Sequence, residues 1–88
     1  MRYINLNIAI EEIKKCLNVL KLDFEEKGLV DNHIYMSTES YELDIPSKEI
    51  QLFLSKDRDD YMLVVDGDAK EFTHDLHRFQ FYICNAVR

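Results

Sequence analysis

The chain has no tryptophan, one proline, two glycines and two cysteines among 88 residues. Each shortage excludes something. With so little Pro and Gly, and with 47% hydrophobic residues, this is a folded chain and not a disordered tail. Its length makes one domain, residues 1–88. Cys16 and Cys84 do not make a disulfide framework, and neither has a CxxC-type partner for zinc. Both fall in expected helices beside apolar neighbours. They are read as reduced thiols; a bridge between helices would need close Cα atoms, which spacing alone does not supply. No apolar run approaches the ~20 residues of a transmembrane helix. Asn5 and Asn7 interrupt the N-terminal apolar residues and Glu11 and Glu12 follow, so no signal-peptide core is present. The expected localisation is cytoplasmic, in the encoding cell or in an infected host cell.

Positive charge is also short. Eleven Lys/Arg face seventeen Asp/Glu, a net charge of −6. The deficit is uneven. Residues 1–38 hold five Lys/Arg and six Asp/Glu, residues 39–75 hold four and eleven, and residues 76–88 add Arg78 and Arg88. Binding a nucleic-acid backbone needs Lys/Arg to displace counterions, so direct nucleic-acid binding is not expected. A basic protein surface is the better electrostatic match.

Enzyme motifs are missing as well. There is no GxGxxG, no P-loop, and no nucleophile-elbow glycine around Ser37, Ser40, Ser47 or Ser55. Paired carboxylates would need a concave pocket, for which a small sheet with two helices has little room. The expectation is a protein that is not an enzyme and carries no cofactor.

What is present centres on Asp57 to Glu71, a five-residue apolar run, Tyr61–Val65, with aspartates at both ends. The run reads as a central strand covered on both faces. Asp68 with Glu71 three residues on resembles a capping box opening a C-terminal helix, continued by Phe72, Leu76, Phe79 and Ile83 to about Val87. At the other terminus Leu6, Ile10, Ile13, Leu17, Leu20 and Phe24 line one helical face. With Asn7 as N-cap and Gly28 at the C′ position, the helix is expected over 7–26. A short strand over residues 2–8 is the weaker alternative. Between the helices, His33–Thr38, Tyr41–Ile45, Glu49–Ser55 and Tyr61–Val65 read as strands, with a turn at Glu39-Ser40. Residues 47–55 could also start a helix after Pro46, though their period of two favours a strand. The expected fold is α+β: an N-terminal helix, an antiparallel meander of three to four strands, and a C-terminal helix, both helices on one sheet face.

Three clusters carry candidate chemistry. His74, His77, Arg78 and Phe81 share a flank of the second helix and form a candidate secondary interface for a homodimer. Two histidines at i and i+3 could share a metal, but a zinc site needs three or four ligands, so none is expected. The aspartates of 57–68 fail the EF-hand pattern: counting from Asp57, Tyr61 and Met62 fall where a ligand and the glycine belong. A strand between the two groups would also hold them roughly 16 Å apart, too far for one ion.

The third cluster is the best lead. Glu39, Glu42, Asp44, Glu49, Asp57, Asp59, Asp60, Asp66 and Asp68 form an acidic band on strands and turns. Alternation points Glu42 and Asp44 away from the helices. A solvated outer face is the plain reading. The sharper reading uses distance: carboxylates two residues apart on a strand lie ~6.6 Å apart, similar to phosphates along one nucleic-acid strand. The expected partner-binding residues are Glu42, Asp44, Asp57, Asp59, Asp60 and Tyr61, with Tyr41 as a second aromatic anchor. The expected function is non-catalytic protein binding, by an inhibitor of the phage-encoded, anti-CRISPR-like or immunity-like type that mimics nucleic acid and masks a basic, nucleic-acid-binding surface. The alternatives are an oligomerising structural or regulatory subunit using the C-terminal helix, or a small metal- or ligand-binding domain.

Overall fold

The computed structural model describes residues 5–31 and 34–88. Helix α1 (Leu6–Val19) is followed by strands β1 (Glu25–Val30), β2 (Ser40–Ile45), β3 (Ile50–Ser55), β4 (Tyr61–Val65) and β5 (Asp68–Thr73), then helix α2 (Leu76–Ala86). The strands lie side by side in chain order, each antiparallel to the next. The meander therefore has five strands, not three or four. Both helices cover one face, α1 over β3 and α2 over β4 and β5, and they touch each other.

Helix α1 buries Ile10, Ile13 and Leu17 of the expected stripe together with Ala9, and Leu6 and Leu20 are partly buried. Its ends differ from expectation. The N-cap is Asn5, whose side chain accepts from the Asn7 amide at 2.8 Å. The helix ends at Val19, about two turns short of the expected residue 26. Lys21 takes a left-handed φ of 58°, its amide donates to the Asn18 carbonyl, and the Leu22 amide donates to the Leu17 carbonyl, each at 3.0 Å. These paired bonds are the Schellman arrangement, which satisfies the last carbonyls of the helix. Leu22 and Phe24 then turn into the core. Gly28, expected as the cap, instead sits in β1 with φ 84°, at a bulge where the pairing with β2 slips. A bulge of this type needs a left-handed residue, which glycine adopts freely.

The segment expected as a strand over His33–Thr38 is not one. His33 lies outside the described residues. Residues 34–38 form turns and bends that cross the outer sheet face, the one away from the helices. Met36 packs there on Phe53 and Val64. Tyr35 lies over Phe53 at 5.4 Å between ring centroids, and its hydroxyl donates to the Gly67 carbonyl at 2.8 Å. The reason is visible in β3 and β4. Both carry apolar residues on both faces, so the outer set needs a cover. The weak alternative of an N-terminal strand fails too, since residues 6–8 are helical; residues 1–4 lie outside the described residues.

The inner face follows the period-two pattern. Leu43, Leu52 and Leu63 align across β2, β3 and β4, as do Ile45, Ile50 and Val65. Leu43, Ile45 and Leu52 are fully buried against α1 and α2. The strand expected over Glu49–Ser55 is present as Ile50–Ser55, with Pro46–Lys48 forming a single 3-10 turn that Glu49 caps.

The largest departure is at Asp68. It opens β5, not a helix. Asp66 and Gly67 form the two-residue loop between β4 and β5, with φ 53° and 81°. Two consecutive left-handed residues match the twist of a hairpin, and Asp-Gly supplies them at low cost. The N-cap of α2 lies seven residues after the aspartate expected to cap it: it is Asp75, accepting from the amides of His77 (2.9 Å) and Arg78 (3.3 Å). Leu76, Phe79 and Ile83 are its buried stripe.

Candidate protein-binding surface

The acidic band divides between the two ends of the sheet, because successive strands alternate in direction. One end holds the β3–β4 turn. Here most charges are already matched. Glu39 pairs with Lys56 at 3.2 Å. Asp60 is flanked by Arg58 Nε at 3.3 Å and His74 Nδ1 at 2.7 Å. Asp59 is 8% exposed and accepts from the Tyr61 hydroxyl at 3.2 Å. Asp57 remains exposed at the tip. This end carries much of the negative charge but little that is unmatched.

The other end holds the β2–β3 connection and the Asp66-Gly67 turn. Asp44, Pro46, Glu49, Ile50, Gln51, Asp66 and Gly67 line an open cleft of about 270 Å³. Asp68 follows directly on the turn. Among the described residues, none of Asp44, Glu49, Asp66 and Asp68 forms a salt bridge. Instead carboxyl groups pair with one another. Burial, then a hydrogen bond and repulsion from Glu42, push Asp44 up to about 7, with Lys27 on β1 pulling weakly the other way. Glu49 is raised by its hydrogen bond to Asp66 and by that group's charge. Two carboxylates at close range cannot both ionise cheaply, which is why both Asp44 and Glu49 are shifted upward. Among the described residues Asp44 Oδ1 has no hydrogen-bond partner.

The expected partner-binding residues therefore separate. Glu42 and Asp44 do point away from the helices. Yet Glu42 is only 8% exposed and accepts from Gln51 Nε2 at 3.2 Å, so it backs the cleft and is not part of an open row. Tyr61 is 1% exposed and stacks on Phe79 at 5.3 Å, within the helix-side core. Tyr41 also faces the helix side, donating to Glu26 Oε1 at 2.6 Å. Neither tyrosine lies beside the unmatched carboxylates. Gln51 and Gly67, which line the cleft, carried no signal as single residues. The Asp-Gly turn was the available clue to the site, because it folds Asp66 back beside Glu49, whose carbonyl accepts from the Asp66 amide at 2.8 Å.

The expected secondary interface separates too. His74 is bound to the Asp60 turn and meets the Phe72 ring edge-on at 5.2 Å. His77, Arg78 and Phe81 stay together on α2, lining a depression of about 400 Å³ with Asp75 and Tyr82. Phe81 is 59% exposed. Among the described residues no group of three or more His, Cys, Asp or Glu is placed to hold a metal ion. No described helix is long and apolar enough to cross a membrane.

The fold and the cleft together define a small acidic α+β domain with a five-stranded antiparallel meander. No family model matches the chain, and neither a curated protein nor a solved structure matches it.

Proposed function

We propose that the protein is a non-catalytic binding protein, an inhibitor of phage or immunity type that masks a basic, nucleic-acid-binding surface of its target. One observation carries this reading: the cleft end of the sheet gathers Asp44, Glu49, Asp66 and Asp68 with no salt bridge among the described residues, so tightly that Asp44 and Glu49 are held toward their protonated forms. Crowded carboxylates of this kind are relieved by an arriving cation. A guanidinium fits two carboxylate oxygens side by side, and arginine is the residue basic surfaces use for phosphate. On this reading the cleft end takes the place of phosphates, and the Asp57–Asp60 turn contributes long-range attraction.

The test is affinity capture from lysate with the intact protein, at about 0.1 M and about 0.5 M salt, followed by competition with duplex DNA and with RNA. The captured partner should be lost at high salt, displaced by one of the two nucleic acids, and missed by a Asp44→Asn/Glu49→Gln/Asp66→Asn variant. Capture that ignores salt, nucleic acid and all three substitutions would sink the reading.

A second reading is favoured by Phe81. An exposed aromatic beside His77 and Arg78 suits an oligomer built on α2. Light scattering across a concentration range separates the two, since a strict monomer removes the oligomer.

A further inference from the structure

We propose that Cys16 and Cys84 form a reversible disulfide that ties α1 to α2, making the helix layer a modification site independent of the acidic cleft. These are the only cysteines in the chain. They lie on different helices, and those helices touch. The contact has a register. Gln80 Nε2 donates to the Glu12 carbonyl at 3.4 Å. Cys16 and Cys84 each follow four residues later, one turn further along the same side of each helix. Cys84 is the neighbouring ionisable group that acts on the Cys16 thiol. One turn on from the Gln80–Glu12 contact in each helix, the two cysteines fall toward the same helix–helix seam. Both residues are half-buried, which leaves a small oxidant a route to them.

The chemistry needs an oxidant, and a low-molecular-weight disulfide is sufficient. One thiolate attacks it, forming a mixed disulfide and releasing the first small thiol. The second cysteine then attacks the mixed disulfide, closing the Cys16–Cys84 bond and releasing the second small thiol. Two electrons pass from the cysteine pair to the oxidant, and the two thiol protons leave with the products. Burial and the neighbouring Cys84 push the Cys16 thiol up to about 11. Thiolate is therefore scarce at neutral pH, exchange is slow, and the pair stays reduced until oxidant is in excess.

The closed bond would span most of the chain, a long loop of the kind that gains most from cross-linking. Its expected effect is a Tm rise of roughly 10 °C or more for a domain of this size. The experiment incubates the folded protein with oxidised glutathione and reads intact mass, non-reducing mobility and Tm. The expected product is a monomer lighter by two hydrogens, with a raised Tm restored by dithiothreitol. Cys16→Ser and Cys84→Ser should each stop at one glutathione adduct. Two stable adducts on the folded protein, a covalent dimer, or ring closure only in denaturant would each overturn the proposal. Should one serine variant fail to fold, the other and the wild-type mass still decide.

Discussion

Asp44 concentrates the tension between stability and function in one side chain. Its carboxyl holds a proton up to about 7 when folded, against 3.8 for the free group. The folded state therefore binds a proton that the unfolded chain releases. The stability this contributes is fully present below about pH 4 and is lost as pH rises through 7. The expected outcome is an unfolding free energy that declines across that window. Asp44→Asn should flatten the decline and leave the variant more stable than the parent at pH 8, on the order of 1 kcal/mol, well under the full linkage value because the group is partly solvated. Urea midpoints at pH 5 and pH 8 check this. If the two proteins decline in parallel, Asp44 does not hold the proton. The same variant should weaken the proposed partner, the usual cost of a site left under strain.

At the scale of elements, two chain reversals decided what could be read in advance. Strands β2, β3 and β4 were legible because their apolar residues alternate and the register then aligns them. The stripes of α1 and α2 were legible by helical spacing. The end of α1 was not. Nothing in Lys21-Leu22 announces a left-handed residue, whereas Gly28 is the residue type that such a cap favours. Pairing with β2 recruits Glu25–Val30 into the sheet despite weak intrinsic preference, and its charges keep this edge from pairing further. The fifth strand was missed for the opposite reason. Asp66-Gly67 is a strong hairpin signal, but Asp68 and Glu71 imitate a helix cap at the same place. The left-handed backbone of Lys21 makes a prediction. A non-glycine residue at φ 58° carries a conformational cost. Lys21→Gly should therefore stabilise the protein by about 0.5 kcal/mol after the added freedom of the unfolded chain is subtracted. Thermal unfolding would show it as a small Tm increase; a decrease would mean that the lysine side chain contributes more than its backbone costs.

Across the whole molecule, charge follows topology more than sequence. The acidic band was legible as composition, but its division was not. Asp57–Asp60 and Asp66–Asp68 are near neighbours in the chain, yet β4 carries them to opposite ends of the sheet. One group meets Arg58 and His74 through Asp60; in the other, Asp66 meets the Glu49 carboxyl. Likewise the outer apolar set, Phe53 and Val64, could be anticipated from the two-faced strands, but not the loop that covers it. This division predicts that one chemical change has opposite effects at the two ends. Asp60→Asn removes an acceptor 14% exposed at its side chain and shared by Arg58 and His74, and should destabilise by about 1 kcal/mol. Asp66→Asn keeps a residue that tolerates the left-handed turn and removes repulsion on Glu49, so it should be neutral or slightly stabilising. Urea denaturation of both variants at low ionic strength gives the comparison, and raising the salt should shrink both effects as screening tightens. Equal losses from the two substitutions would mean that the cleft carboxylates are matched after all, and the acidic end would then offer a basic partner nothing to relieve.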